Sequence, residues 1–217
     1  GRRRGLGDLL AEGSRRAADK IGGVAPQFAP HVKGLELPGY EPRALQTMAL
    51  GLAVGTRGAD HNRSGAYELD FSDRVDRLRG DERAARLATG PEDRAALIDS
   101  LILCKFLRGV FDDLEAEAAS LLQAVTGLDF TAQELRDTAR RIVVLRKTFN
   151  VREGWTPADD VLPPRILSEP IADGPVAGAR LDAGRLASMV RAYNQERGWS
   201  DDGYPPPETM GDLLLDA

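Results

Sequence analysis

Thr131-Ala-Gln-Glu-Leu-Arg-Asp-Thr-Ala-Arg-Arg-Ile-Val-Val-Leu-Arg-Lys-Thr-Phe149 is the stretch that decides the fold class. A threonine followed three residues later by glutamate is a capping box, in which the hydroxyl takes the N3 amide and the carboxylate returns to the cap's own amide. Behind it Leu135, Ala139, Ile142, Leu145 and Phe149 recur at steps of three and four, the repeat of one helical face. The spacing predicts a long amphipathic helix, and the same period governs most of the chain.

Upstream, Leu6, Leu9, Leu10, Ala17 and Ile21 fall on one side of a first helix that Gly13 interrupts and Gly22-Gly23 stops. Three prolines and two glycines make residues 24–40 an extended connection. Over residues 43–54, Leu45, Met48, Ala49 and Leu52 predict a short apolar helix that delivers the chain into Gly55-Thr-Arg-Gly58, a loop presenting Asp60 and His61. Residues 71–90 are charged and read as a surface helix with a loop. Pro91 suits the first turn of the next helix, where its missing N–H costs nothing, and that helix is expected to carry Leu97, Leu101, Cys104 and Phe106. A further helix over 112–125 has Leu114, Ala118, Leu121, Leu122 and Val125 on one face. Proline and glycine make residues 154–181 a long crossing loop, of the kind that lies against a wall or carries function. Asp182 then caps a helix carrying Leu186, Met189, Val190 and Tyr193, and a short turn is expected over 210–215. With no internal repeat and few strand signals, the fold class is all-α.

At 217 residues and 42% hydrophobic the chain can bury a sizeable core. A net charge of −5 argues against nucleic acid as a partner, and Arg2-Arg-Arg4 reads as a solvated tail. A single cysteine excludes an internal disulfide framework and suits a reducing cytoplasm. No stretch reaches the roughly 18 apolar residues that suggest a membrane span. The chain opens on Gly1 with no leader, which suits a fragment or a processed product. Neither histidine stands near a serine elbow. Gly51, Gly55 and Gly58 follow an apolar helix rather than the strand a phosphate or dinucleotide loop requires. Two histidines and one cysteine without a ligand pair make a poor zinc site.

The chemistry-bearing stretch is Asp99-Ser-Leu-Ile-Leu-Cys104. A carboxylate can accept hydrogen bonds from the amino groups of a heterocycle, and a thiolate is a soft metal ligand. The ordinary alternative is a buried apolar cysteine beside a capping aspartate. Around it stand Gly7-Asp-Leu-Leu-Ala-Glu-Gly13, the run from His31 to Arg43, Thr56-Arg-Gly-Ala-Asp-His61, Thr126-Gly-Leu-Asp-Phe-Thr131, Phe149-Asn-Val-Arg-Glu-Gly154 and Leu162-Pro-Pro-Arg165. In that order these motifs resemble the C-terminal portion of the tungsten-containing aldehyde ferredoxin oxidoreductases, over nearly the whole chain.

The resemblance implies helical C-terminal domains, with residues 1–217 forming the end of the middle domain plus the C-terminal domain, and the N-terminal pterin-binding domain lying outside this chain. It implies that the complete enzyme oxidises aldehydes to carboxylic acids at a tungsten bis-pterin and passes electrons through a [4Fe-4S] cluster to ferredoxin. In the family motif Asp-x-x-Gly-Leu-Cys the aspartate holds a pterin and the cysteine is the fourth cluster ligand. Asp99, Leu103 and Cys104 match it, while Ile102 replaces the glycine. His61 matches the histidine beside the metal that assists proton transfer, and Asp60 stands where the family commonly has cysteine. His31 is expected to be packed and hydrogen-bonded rather than catalytic, and Arg57, Arg63 and Glu68 read first as solvated loop charges, with a supporting or substrate-facing role beside His61 as the alternative. One thiolate and two imidazoles are too few for either centre, so no cofactor is expected on the isolated chain; the missing domains, or a partner chain carrying them, would complete it. The rival reading is a cofactor-free helical interaction or scaffold module derived from that family.

Overall fold

The computed structural model describes residues 3–107 and 109–207; the turn expected over 210–215 lies outside them. The helices are α1 (Leu6–Leu10), α2 (Ser14–Ile21), α3 (Gln46–Val54), α4 (His61–Ser64), α5 (Tyr67–Asp70), α6 (Glu82–Leu87), α7 (Thr89–Ser100), α8 (Leu114–Thr126), α9 (Ala132–Arg152), α10 (Pro164–Ser168) and α11 (Ala183–Glu196), with 3₁₀ turns at Ala25–Phe28, Lys105–Leu107 and Pro157–Asp159. The fold is all-α apart from a small hairpin, β1 (His31–Val32) with β2 (Leu35–Glu36), paired antiparallel so that Val32 faces Leu35. The break at Gly13 and the capping box of α9 form as expected. No described helix is long and apolar enough to cross a membrane.

At the centre stands α3, whose residues are buried from Gln46 through Val54. A helix that is buried all round needs neighbours on every side, and α4, α5, α6 and α11 supply them. Its own N-cap, Leu45, offers no side-chain acceptor. The buried Asp70 of α5 takes that place, accepting from the amides of Thr47 (3.1 Å) and Met48 (2.8 Å). Burial pushes the Asp70 carboxyl up, and these bonds hold it back. A second, smaller core joins Leu97 of α7, Ala118 and Ala119 of α8, and Leu135 and Ala139 of α9.

Two faces are narrower than their sequence stripes. On α9 the fully buried line is Leu135, Ala139, Val143 and Lys147, while Leu145 and Phe149 are exposed. On α8 Leu114 and Ala118 are buried, and Leu121 and Val125 face outward. α9 packs against α7 and α8 against α9, and in both helices the buried line runs at steps of four, so apolar residues off it are left at the surface. A larger departure is the end of α7. The helix stops at Ser100, so Cys104 and Phe106, expected on it, lie beyond it in an exposed turn.

Lysine at position 147 is buried because the crossing segment wraps it. Its Nζ lies 3.0 Å from Asp160 Oδ2 and 3.0 Å from the centroid of the Trp155 ring. The other Asp160 oxygen accepts from Trp155 Nε1 (2.9 Å) and pairs with Lys33 Nζ of the hairpin turn (2.8 Å). Burial outweighs the pull of Asp160 and lowers the Lys147 ammonium to about 8. A second clamp joins α7 to the end of α11, where Arg197 pairs with Glu92 (2.6 Å) and Asp93 (2.5 Å).

Candidate functional site

The His61 loop is shaped by its neighbours. Gly58 adopts φ +96°, and a β-carbon there would collide with the Val32 carbonyl, so only glycine lets the hairpin and the loop meet. Asp60 follows as the N-cap of α4, its carboxylate accepting from the amides of Asn62 (2.9 Å) and Arg63 (3.4 Å) and from Arg57 Nε (2.6 Å). Aspartate is a favoured N-cap, which gives a local reason for its presence. His61 is half-buried, with its ring 5.3 Å from that of Tyr40 and 5.7 Å from that of Tyr67, and the two tyrosines stack on each other at 6.1 Å. An imidazole set against aromatic faces keeps a fixed orientation, as a proton donor or acceptor requires. His31 is part of the hairpin, its Nδ1 accepting from the Gly34 amide at 3.3 Å.

Asp99 is near the end of α7, and α7 packs against α4. Its Oδ2 pairs with Arg63 at 3.2 Å and its Oδ1 lies 3.8 Å from Lys105 Nζ. Arg63 also reaches toward Asp60 at 4.0 Å, and Lys105 donates to the carbonyl of Asn62. The His61 turn, the Asp99 carboxylate and the segment carrying Cys104 are thereby joined through two cations. Burial lowers the Lys105 ammonium, against the opposing pull of Asp99 and Asp60.

The turn between Asp99 and Cys104 is a defined helix stop. Ile102 has φ +58°, its amide donates to the Asp99 carbonyl (3.3 Å), and the half-buried Leu103 donates to the Ile98 carbonyl (3.0 Å). These two bonds are a Schellman stop with Ile102 in the left-handed position. Cys104 emerges exposed, its carbonyl accepting from the Leu107 amide at 2.9 Å. Helix-like bonds on one side and the Lys105 anchor on the other hold the thiol's backbone in place. Ile102, Phe106 and Val110 around it are exposed, the first two by 92% and 89%.

His61, Asp99, Leu103 and Cys104 therefore belong to one linked region. Of the supporting residues, Arg57 and Arg63 hold Asp60 and Asp99; Lys105 is the member that sequence spacing does not reveal, because its partners Asn62 and Asp99 come from other elements. Among the described residues the Asp99 carboxylate, which can accept about four hydrogen bonds, pairs with Arg63 and Lys105 and also feels the charge of Arg146. Among the described residues no group of three or more His, Cys, Asp or Glu could hold a metal ion. Any cluster on Cys104 must draw its other ligands from elsewhere.

Comparison with known proteins gives this arrangement a lineage. The family model described as aldehyde ferredoxin oxidoreductase, domains 2 and 3, matches residues 1–215. A tungsten-containing aldehyde ferredoxin oxidoreductase of Pyrococcus furiosus is 36% identical over 217 residues, covering 98% of this chain and 34% of the relative. That of Thermococcus kodakarensis is 35% identical over 97% of this chain and 34% of its own length. A subunit of P. furiosus described as an aliphatic sulfonate oxidoreductase, WOR-like, is 28% identical over 96% of this chain and 32% of its own. The chain thus spans about a third of the relatives it matches. Among solved structures, the active site complex BamBC of benzoyl coenzyme A reductase, with 1,5-dienoyl-CoA, superposes with a TM-score of 0.65 over 98% of this chain and 37% of that one; at 19% identity it speaks for the fold alone. By the family match over residues 1–215, the chain belongs to the aldehyde ferredoxin oxidoreductase family.

Proposed function

We propose that this chain is the C-terminal part of a tungsten bis-pterin oxidoreductase that oxidises aldehydes to carboxylic acids and delivers the electrons to ferredoxin in the cytoplasm. Bound tungsten bis-pterin and a [4Fe-4S] cluster would supply the two-electron chemistry and the path outward. The chain's own residues bind and position. Asp99, partly exposed, would accept hydrogen bonds from a pterin, with Leu103 shaping the turn beside it. Cys104 contributes one thiolate to the cluster, three more coming from the domains, or the partner chain, that complete the enzyme. His61, steadied by Tyr40 and Tyr67, holds or moves a proton beside the metal.

The observation that carries this reading is the bridge from Asn62 and Asp99 to Lys105, which ties the three elements together while Cys104 stays exposed. The test is the complete enzyme carrying this chain, assayed for tungsten, iron and aldehyde-dependent reduction of ferredoxin. Cys104→Ser is expected to alter the cluster's paramagnetic resonance and slow electron delivery. His61→Ala is expected to leave that signal unchanged and slow turnover about a hundredfold or more. Unchanged signals and normal turnover in Cys104→Ser would make the cysteine a mere surface thiol. A cofactor-free scaffold is the second reading, favoured by one observation: Asp99 already has two cation partners and needs no pterin to satisfy it. A complete enzyme without tungsten would support that reading.

A further inference from the structure

One buried side chain gathers three arginines from three parts of the chain. Gln46 Oε1 accepts from the Gly80 amide (2.9 Å) and from Arg185 Nη1 (3.4 Å), and its Nε2 donates to the Arg180 carbonyl (3.0 Å). A β-carbon at the buried Gly80 would lie 2.7 Å from the Met189 sulfur and 2.8 Å from Gln46 Cβ, so the turn that carries Arg79 lies directly on the core. Arg79, Asp81, Arg180 and Arg185 line an open basin of about 610 Å³ there.

Charge in this basin does not balance. Among the described residues none of the three guanidiniums has a salt-bridge partner. The one carboxylate in the lining, Asp81, is turned to the Ala84 amide as the N-cap of α6 (2.7 Å). Asp182, which feels the Arg185 charge, is spent as the N-cap of α11, accepting from the amide of Arg185 itself (2.9 Å). A surface lined by one sign of charge concentrates counter-ions at its mouth. We propose that the basin binds the phosphate monoester of a small organic molecule. Guanidinium forks match phosphate oxygens with paired N–H···O bonds. Three cations around one opening favour a dianion over a monoanion, and the basin has room for an organic body beside the phosphate. It shares no residue with the region around His61 and Cys104, so the proposal goes beyond the oxidoreductase reading and does not depend on it.

Calorimetric titration of the complete protein with inorganic phosphate and with phenyl phosphate, at constant ionic strength, tests the assignment. Both should bind, and acetate should bind about tenfold more weakly or not at all. Arg79→Gln, Arg180→Gln and Arg185→Gln should each weaken phosphate binding about tenfold. Arg141→Gln, on α9 and outside the basin, should leave it unchanged. All four side chains are exposed, and circular dichroism checks that each variant keeps its helices. No response to phosphate at millimolar concentrations, wild-type affinity in all three basin variants, or an equal loss in Arg141→Gln would overturn the proposal. So would exclusion of phenyl phosphate while inorganic phosphate binds, or binding confined to phosphatidic acid vesicles or DNA with none to either free probe.

Discussion

Asp160 and Asp99 are each a carboxylate between two cations, yet they sit in different surroundings. Asp160 is 3% exposed, beside Lys147 at 2%, with Trp155 donating to it as well. Asp99 is 26% exposed, with Arg63 at 32% and Lys105 at 23%. Around Asp160 the partners come from the hairpin, α9 and the crossing segment, and they enclose it. Around Asp99 they come from α4 and from the segment after α7, and all stay partly exposed beside a turn carrying exposed apolar groups. One cluster closes the fold, and the other holds a surface ready for a neighbour.

The largest effect that would break this contrast is expected at Asp160. Asp160→Ala strands two lysine charges, one of them fully buried, and breaking a buried pair from one side costs about 3–5 kcal/mol. Denaturant unfolding measures it, and a loss below about 1 kcal/mol would mean that the enclosed cluster is no tighter than the open one.

The pH dependence of Lys147 comes next. Its folded pKa, about 8, lies below the ordinary 10.5, so between those values the unfolded chain binds more protons than the folded one. Stability from this group therefore rises with pH across that window, by up to about 3 kcal/mol. It is lost again as the pH falls toward 8. Lys147→Met should flatten the rise without stranding Asp160, which keeps Lys33 and Trp155. Parallel slopes in wild type and Lys147→Met would remove Lys147 as the cause.

Ile102→Gly sharpens the contrast from the other side. Relief of the left-handed isoleucine should stabilise the chain by about 1 kcal/mol. Thermal unfolding reads it, and a loss of stability would show that the turn tolerates isoleucine at no cost. The smallest effect is expected at Asp99. Because its ion pairs are half-exposed, Asp99→Asn should cost about 0–1 kcal/mol, while pterin released from the complete enzyme falls sharply. A large stability loss with full pterin content would place Asp99 with Asp160 as a structural group.

Local signals carried the legible part of the molecule. The Thr131 capping box, the break at Gly13 and the Asp182 cap depend on residues within four positions of each other, and all three form. The end of α7 was hidden for the same reason: Leu101-Ile-Leu103 continues an apolar helical pattern, and nothing in it signals that Ile102 turns left-handed. Family motifs pointed to His61, Asp99 and Cys104, but what joins them was illegible. Arg63 and Lys105 meet Asp99 across 36 and 6 residues, through the packing of α4 on α7 rather than through any periodicity. Lys147 lies off the apolar stripe of Leu135, Ala139, Ile142, Leu145 and Phe149 read from the sequence, and only the structure places it on the buried line. Its burial depends on Trp155 and Asp160, in the long crossing loop whose contacts no periodicity reveals.

Gln46, at the first turn of the central helix, has a consequence for how the chain is made. Its side-chain nitrogen donates to the carbonyls of Arg43 and Arg180, and its oxygen accepts from the Gly80 amide. One amide group thus fastens segments that leave the ribosome far apart in time. A nascent chain that has emerged only as far as residue 170 has the whole of α3 available and lacks both the Arg180 carbonyl and the α11 surface that covers it. Burying a polar group with a donor unmatched is unfavourable, so the central helix settles only after the segment running through Arg180 and α11 has emerged.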